Sequence, residues 1–292
     1  MVDSQPKVVL VTGASTGLGL ALARALLDTD YRLILTARSE SMPRFHDAGV
    51  NEGPHIWLRP LDVRDDRQRR QVIDEANSRW GGVDILVNNA GVAYRSVVEH
   101  INDEERLEQM AINFNAPMEL TRLVLPSMRH KRWGRILIIS AVGGMMALPT
   151  LAMYSASKFA LEGATEALWY EVRPWNIRVS LIQPGFIHSG SFLNTRRTVD
   201  SHRSEISELD PYHNHYYYME PFIARMMRFA FSTPEHVARK ILKTMGRRRP
   251  PLRVTATIDA HFFALLRRVL PRSLYHRVLY YALPHVQKWG SF

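Results

Sequence analysis

A glycine-rich loop near the N-terminus stands between two segments with different apolar patterns. The run Val8–Thr12 is unbroken and apolar, as in a strand buried on both faces, whereas Gly17–Leu27 has the apolar spacing of a helix. The loop between them reads Thr12-Gly13-Ala14-Ser15-Thr16-Gly17-Leu18-Gly19. Glycine is needed where the chain turns tightly or where a phosphate approaches too closely for a Cβ atom, and a helix N-terminus attracts a pyrophosphate. This placement predicts a dinucleotide-binding unit; a purely structural turn is the alternative.

Strand-like and helix-like segments alternate over most of the chain. Strands are predicted at Val8–Thr12, Arg32–Thr36, Ile56–Arg59, Ile85–Asn88, Ile136–Ser140, Val179–Gln183 and, as a seventh, Leu252–Thr255. Helices are predicted at Gly17–Leu27, Asp65–Trp80, Asp103–Arg129, Tyr154–Val172 and from Pro234 to about Met245. The alternation is typical of an α/β fold, a doubly wound, Rossmann-like parallel sheet of about seven strands with helices on both faces, plus a C-terminal helical extension. Because no repeat or Ser/Gly-rich linker divides the chain, residues 1–292 are expected to form a single domain.

The composition excludes several classes of protein. With 46% hydrophobic and 23% charged residues the chain is an ordinary globular one, and the absence of cysteine excludes disulfides, a thiolate nucleophile and cysteine-ligated metals. No apolar run reaches the roughly 18 residues of a spanning helix, and the early Asp3 argues against a signal peptide. His213 and His215 have no further ligand set near them, so no metal site is predicted. A cytoplasmic location is expected, with peripheral membrane contact as an option.

The charge is strongly positive, since 38 Lys and Arg against 28 Asp and Glu give a net charge of +10. This charge is compatible with a soluble basic protein, with an anionic cofactor or with an acidic membrane surface. The sequence contains no recognisable nucleic-acid-binding module, so no nucleic-acid partner is predicted.

The end of the second predicted strand indicates which dinucleotide binds. An acidic residue there hydrogen-bonds the 2′-hydroxyl of the adenosine ribose, whereas a basic residue accommodates a 2′-phosphate. The strand ends Leu35-Thr36-Ala37-Arg38-Ser39, and an arginine can bind a phosphate with two parallel hydrogen bonds. The sequence therefore predicts NADP rather than NAD, with Arg38 selecting it; an ordinary surface arginine is the alternative.

Tyr154 and Lys158 lie four residues apart in a predicted helix and so share one face. A free tyrosine, with a pKa near ~10, is a poor base at neutral pH. A lysine ammonium beside it favours the phenolate, by on the order of 1–3 pKa units. Tyr154 is therefore a candidate to exchange a proton with a carbonyl or alcohol next to a bound nicotinamide, although the spacing alone often occurs by chance.

These features occur together with others, in order and at regular intervals. The full set is Thr12–Gly19, Asp62-Val63, Asn88-Asn89-Ala90-Gly91, Asn113, Tyr154-Ser155-Ala156-Ser157-Lys158 and Pro184-Gly185. In this combination the chain resembles the short-chain dehydrogenase/reductase family over roughly residues 6–190. The run Tyr154–Gly163 is most similar to hydroxysteroid and retinol dehydrogenases.

The resemblance implies a role for each matching residue. The predicted cofactor contacts are Gly13, Ser15, Thr16, Gly17, Leu18, Gly19, Arg38, Asp62, Val63, Asn89, Gly91, Tyr154, Lys158, Ile187 and Ser189. Asp62 would bind the adenine amine, and Lys158 the nicotinamide ribose. Ile187, through its backbone, and Ser189 would meet the carboxamide. Asn113 would anchor a water that extends a proton relay to Lys158.

The catalytic serine is the point where the chain departs from the family pattern. Ser140 lies 14 residues before Tyr154, whereas Ala141 lies 13 before it, the spacing more usual in the family. A one-residue insertion within Gly143–Pro149 would restore Ser140; otherwise an alanine occupies the position. Ser140 is kept as the candidate that orients the substrate oxygen. The predicted catalytic set is Tyr154, Lys158, Ser140 and Asn113.

Two segments towards the C-terminus lie outside these motifs. Residues 186–232 look irregular, and the resemblance places a substrate lid there, whose side chains suit a bulky lipophilic substrate or simply pack on the core. The side chains concerned are Phe186, Phe192, Tyr212, Tyr216, Tyr217, Tyr218, Phe222, Met226 and Met227. Residues 258–292 are basic and predict two amphipathic helices, over Phe262–Leu270 and Leu274–Leu283. A membrane-surface contact, a packed structural element and a subunit contact all remain open for them.

The combined prediction is an NADP(H)-dependent oxidoreductase that transfers a hydride between nicotinamide and a lipophilic alcohol or carbonyl, steroid-, retinoid- or aliphatic-ketone-like. A non-catalytic dinucleotide-binding sensor and a membrane-surface scaffold are the alternatives. By resemblance a homo-oligomer, dimer or tetramer, is expected, paired through the long helices Asp103–Arg129 and Tyr154–Val172.

Overall fold

A parallel sheet forms the centre of the protein. The computed structural model describes residues 5–188 and 195–291. The strands in these ranges are β1 (Val8–Val11), β2 (Arg32–Ala37), β3 (Ile56–Pro60), β4 (Ile85–Asn88), β5 (Tyr94–Arg95), β6 (Gly134–Ile139), β7 (Ile177–Gln183), β8 (Arg196–Arg197) and β9 (Arg253–Thr255). All of these except β5 and β8 form one parallel sheet in the order β3-β2-β1-β4-β6-β7-β9. This confirms the predicted doubly wound sheet, and the predicted strand ends are correct to within two residues.

Helices cover both faces of the sheet. The α-helices in the described ranges are α1 (Gly17–Leu27), α2 (Pro43–Asp47), α3 (Asp66–Trp80), α4 (Asp103–Met110), α5 (Ala116–Lys131), α6 (Ala152–Val172), α7 (Val199–Ile206), α8 (His213–Arg228), α9 (Pro234–Gly246), α10 (Ile258–Val269) and α11 (Arg272–Tyr281). Helices α3, α5 and α6 pack on the side of Val8 and Leu10, and α1 and α9 pack on the side of Val9 and Val11. Successive strand residues point to opposite faces, which is why the strand sequences are apolar throughout.

The predicted helix Asp103–Arg129 is interrupted. Between α4 and α5 the chain forms a π-helical turn over Ala111–Asn115, and the buried Asn113 lies in it. Single π-helical turns are often found at functional sites. Apolar spacing continues through so short an interruption, so the sequence pattern does not reveal it.

The segment predicted as an irregular lid is largely helical where the structure describes it. It contains α7 and α8, and β8 pairs in parallel with β5. Helix α8 buries Tyr216, Met219 and Ile223, which are spaced as one helix face. The prediction of irregular structure was wrong here because the many aromatic residues obscured that spacing.

The two predicted C-terminal helices are confirmed as α10 and α11. They pack on the segment Val142–Met146 in a small apolar cluster that includes Ala260 and Tyr275. Among the residues that the structure describes, no helix is both long enough and apolar enough to cross a membrane. The assignment of residues 1–292 to a single domain stays a prediction.

Candidate active site

The carboxyl ends of the central strands open into a cavity of about 650 Å³. Parallel strands bring their carboxyl ends to one edge of the sheet, where the following loops meet. The predicted site residues that line the cavity are Gly13, Ser15, Thr16, Gly17, Leu18, Gly19, Arg38, Asp62, Val63, Asn89, Gly91, Ser140, Tyr154 and Lys158. Asn113 lies buried behind the wall, and Ile187 packs against the apolar core. Ser189 lies outside the described residues.

The glycine loop forms one end of the cavity and is shaped by close packing. Gly13 has a φ of +63°, in the left-handed region that favours glycine. A Cβ atom on Gly19 would lie 2.1 Å from the Gly13 carbonyl oxygen and 2.6 Å from Asn89 Nδ2. The Asn89 amide donates hydrogen bonds to the carbonyl oxygens of Thr12 and Gly13, at 2.9 and 3.0 Å. At its glycines the loop therefore presents bare backbone to the cavity. This cradle fits a dinucleotide pyrophosphate.

Basic side chains line the cavity beside the end of β2. Arg38 is half-exposed and lies 3.1 Å from Glu40, an exposed ion pair that contributes little stability. Arg44, from the short helix α2, lines the same region. The sequence analysis missed Arg44, which follows Arg38 by only six residues, because no motif extends to it. Two guanidinium groups at this end suit the additional phosphate of NADP.

Asp62 is held by an arginine two residues further along the chain. The Arg64 guanidinium lies 2.6 Å from the Asp62 carboxylate and 2.8 Å from Glu108. The hydrogen bond from Arg64 lowers the pKa of Asp62 below its usual value. Asp62 is therefore an ionised, oriented acceptor at the cavity wall, as its predicted contact with the adenine amine requires.

Tyr154 and Lys158 project from α6 into the cavity wall. The Lys158 ammonium lies 5.9 Å from the centre of the Tyr154 ring and donates a hydrogen bond to the Ile139 carbonyl at 2.9 Å. Burial lowers the pKa of Lys158 to about 8, against the opposing effect of Glu162, and burial raises the pKa of Tyr154 to about 12. The pKa of Tyr154 is therefore not lowered by the lysine, as expected from the sequence, but raised by the cost of burying a phenolate. Tyr154 is protonated at neutral pH, which suits a proton donor.

Asn113 braces α6 against the loop after β4. Its carbonyl accepts from the Val92 N–H at 2.9 Å, and its amide donates to the Val92 carbonyl at 2.8 Å and to the Ser157 hydroxyl at 3.0 Å. A Cβ atom on Gly91 would come within 3.3 Å of Asn113 Oδ1 and 3.8 Å of Lys158 Nζ. Asn113 and Lys158 therefore both approach Gly91, and the Asn113 side chain is used for protein contacts. The predicted water relay through Asn113 stays a prediction.

The Ser140 hydroxyl points into a buried polar network. It donates to Glu162 at 2.7 Å, and Glu162 also accepts from Gln183 at 2.8 Å and from Arg253. A serine hydroxyl has one proton, so Ser140 cannot donate to a substrate oxygen while it donates to Glu162. Ala141 also lines the cavity. Sequence analysis missed this network, although a carboxylate four residues after Lys158 in a helix that must be buried was a signal for it.

We predict that Ser140→Ala lowers the free energy of unfolding clearly but changes the turnover rate only slightly. The buried Glu162 carboxylate loses a donor, which costs about 1–3 kcal/mol of unfolding free energy. Loss of a donor to the reacting oxygen would lower turnover about 10²–10³-fold, whereas we expect turnover of Ser140→Ala to fall by less than about tenfold. Urea denaturation and NADPH oxidation measure the two quantities, with the exposed Ser78→Ala on α3 as the control. A full 10²–10³-fold loss with unchanged stability would restore Ser140 as the oxyanion donor.

The other half of the cavity is apolar. Its apolar lining residues are Val142, Leu148, Leu151, Phe186, Ile223 and Met227, and Arg95 and Arg196 line the cavity as well. Of the side chains predicted to line a lipophilic pocket, Phe186 and Met227 line the cavity. Ile223 also lines it, although the sequence analysis did not predict this. Tyr216 is instead buried and connects α8 with the segment after β5, because its hydroxyl accepts a hydrogen bond from the Val97 N–H at 2.9 Å. Phe192 lies outside the described residues.

Among the residues that the structure describes, His, Asp and Glu side chains form no group of three or more that could hold a metal ion. His213 Nδ1 lies 2.9 Å from the Ser204 carbonyl, and the His215 ring lies tilted against the Trp289 ring, with 4.6 Å between their centres. Both histidines of the His-Asn-His motif therefore serve the packing of α8.

Residues 7–200 of this chain match the sequence model of the short chain dehydrogenase family. The chain belongs to that family of oxidoreductases. Its relatives include a 3-ketodihydrosphingosine reductase of Bacteroides thetaiotaomicron, 33% identical over 96% of this chain and 99% of the relative. A retinol dehydrogenase 8 of Bos taurus is 32% identical over 85% and 80% of the two chains.

A solved short-chain dehydrogenase from Streptomyces avermitilis has the same fold. It superposes with a TM-score of 0.78 at 28% identity, over 97% of each chain. The family fold therefore extends into the C-terminal region, beyond the motifs that identify the family in the sequence.

Proposed function

We propose that this protein is an NADP(H)-dependent oxidoreductase that interconverts a lipophilic carbonyl compound and its alcohol. One observation supports it above all, namely that a glycine cradle, the Tyr154–Lys158 pair and an apolar pocket share one cavity. When bound, NADPH supplies the hydride. The glycine loop holds its pyrophosphate, and Lys158 holds the nicotinamide ribose. Tyr154 donates the proton to the substrate oxygen.

Other residues have supporting roles in this proposal. Asp62 binds the adenine amine, and Asn113 holds Ser157 and the loop after β4 so that α6 presents Tyr154 and Lys158 correctly. Ile187 and Ser189 are proposed contacts of the nicotinamide carboxamide. Ser140 is proposed to fix the Glu162 carboxylate rather than to bind substrate.

A substrate panel tests the proposal. Purified protein with NADPH is offered aliphatic ketones, long-chain 3-keto amino alcohols, steroids and retinoids, and loss of NADPH absorbance is recorded. We expect faster turnover of lipophilic carbonyls than of small hydrophilic ones, because six apolar side chains line the cavity beyond the Tyr154–Lys158 pair. Tight NADPH binding without turnover of any member would favour the dinucleotide-binding sensor, the alternative that the Ser140–Glu162 contact supports.

The preference for NADP is proposed to depend on Arg38, with Arg44 beside it. Replacing Arg38 by aspartate should weaken NADPH binding by about 10- to 100-fold, because a charged hydrogen bond to phosphate contributes about 1.5–3 kcal/mol. NADH binding should be unchanged or tighter. Titration of NADPH and NADH by fluorescence measures both constants. Arg122→Asp, an exposed site with the same change of charge, is the control; an unchanged NADPH-to-NADH ratio in Arg38→Asp would contradict the assignment.

A homo-oligomer in the cytoplasm completes the proposal. Pairing through α5 and α6 would cover Tyr170, which is exposed on the outer side of α6. In analytical ultracentrifugation we expect the wild type to sediment as a dimer or tetramer and Tyr170→Glu to sediment as a smaller species, because a charge would be buried in the interface. A wild type that sediments as a monomer would contradict this part of the proposal.

A further inference from the structure

Helix α10 carries apolar side chains on two opposite faces. On the inner face, Ala260, Phe263 and Ala264 pack in the cluster formed with Val142 and Met145. The Arg267 guanidinium donates to the Met145 carbonyl oxygen. These contacts fix the position of the helix, so its outer face has a defined orientation.

The outer face of α10 is an exposed apolar row. Ile258, Phe262, Leu265 and Val269 are between 58 and 69% exposed. Their spacing of four, three and four residues places them on one side of the helix. Helix α11 continues the pattern with three more exposed residues, and we call the two rows together the outer stripe. The α11 members are Leu274, Val278 and Tyr281.

The surroundings of the outer stripe are cationic. Residues 247–291 contain nine Lys and Arg and a single carboxylate, Asp259. Asp259 faces inwards, where it accepts from the Phe186 N–H at 2.7 Å. Arg268 and Arg277 are exposed on α10 and α11. Apolar rows of this size on a water-facing surface usually mark an interaction site, and its partner must be compatible with a positive rim.

We propose that the outer stripe binds the surface of an anionic lipid bilayer. Amphipathic helices with Phe, Leu and Tyr on one side and arginines beside them lie in the interface plane of such bilayers. Helix α10 has 12 residues and a length of about 18 Å, so it lies on a membrane and does not span it. A second copy of this chain is a poorer partner, since a symmetric contact would bring two cationic rims together.

The position of the outer stripe connects it with the cavity. Val142, on whose segment α10 packs, also lines the apolar half of the cavity, as does Leu148. Helix α10 therefore lies between the outer stripe and the segment that lines the cavity, so the two surfaces are neighbours in the fold.

Vesicle co-sedimentation of the full chain tests the proposal without substrate or cofactor. We expect the wild type to pellet with phosphatidylcholine vesicles that contain phosphatidylserine, and much less with phosphatidylcholine alone. The double variant Phe262→Ser/Leu265→Ser should lower the partition coefficient at least about tenfold, because two large apolar side chains no longer enter the interface. The matched control is Val199→Ser/Ile206→Ser, two exposed apolar residues on α7, which should bind like the wild type.

Thermal unfolding and NADPH affinity check that both double variants remain folded. Absence of binding to anionic vesicles, or equal binding of the Phe262→Ser/Leu265→Ser variant, would overturn the proposal. So would a wild-type dimer in solution that this variant converts to monomers, since a second copy would then cover the outer stripe. Failure to find a substrate would leave the vesicle result unaffected, so the two proposals can fail separately.

Discussion

Replacing Tyr154 by phenylalanine is expected to lower carbonyl reduction by about 10²–10⁴-fold, because the variant lacks the proton donor. Burial keeps the Tyr154 phenol protonated at neutral pH, with a pKa raised to about 12. The aromatic ring remains in the variant, and the cradle at the other end of the cavity is untouched. NADPH affinity should therefore stay close to that of the wild type. NADPH oxidation measures the first effect, and NADPH fluorescence titration measures the second.

Tyr170→Phe is the matched control, since Tyr170 lies on the same helix but is exposed. Its turnover should equal that of the wild type. Normal turnover of Tyr154→Phe would remove Tyr154 from the mechanism. A parallel loss of NADPH binding would show instead that its hydroxyl serves the cofactor site.

Replacing Gly19 by alanine is expected to weaken NADPH binding by about 10- to 100-fold. The new methyl group would meet the Gly13 carbonyl oxygen at 2.1 Å and Asn89 Nδ2 at 2.6 Å, so the loop must move. Forcing a methyl group into a packed site costs about 1–3 kcal/mol of folding free energy. If the loop relieves this strain by moving away from the pyrophosphate, each 1.4 kcal/mol of lost contact with the cofactor is a factor of ten in affinity. Because both contacts belong to the cradle, the displacement affects the groups that hold the pyrophosphate. Fluorescence titration with NADPH measures the loss.

Gly163→Ala provides the control for this substitution. Gly163 lies in α6 with no atom within 4 Å of an added Cβ, so the variant should bind NADPH normally. Its unfolding free energy should rise by up to about 1 kcal/mol, since alanine favours helix over glycine. If Gly19→Ala binds NADPH as tightly as Gly163→Ala, the loop does not form the pyrophosphate site.

Features that depend on neighbouring residues could be predicted from the sequence. The strands follow from unbroken apolar runs such as Val8–Thr12, because a strand covered on both faces needs apolar residues at every position. The shared face of Tyr154 and Lys158 follows from the helical period. The order of motifs then identified the family, which the comparisons confirm.

The orientation of the Ser140 hydroxyl could not be predicted in this way. Counting residues left Ser140 and Ala141 as alternatives for the catalytic position. The hydroxyl is oriented by Glu162 from α6, and Glu162 is itself held by Arg253 from β9, 91 residues further along the chain. No local sequence pattern predicts this contact, because it forms only when β9 pairs with β7 at the edge of the sheet.

The sequence alone thus determined the sheet, the cofactor loop and the pairing of Tyr154 with Lys158, since short-range periodicity and backbone sterics encode them. Tertiary structure decided that Arg44 joins Arg38, that Ile223 enters the pocket, and that α10 has both a packed and an exposed apolar face. These properties depend on which distant elements pack together. Burial on packing also raised the pKa of Tyr154, whereas the helical spacing of the lysine had predicted a lowered value.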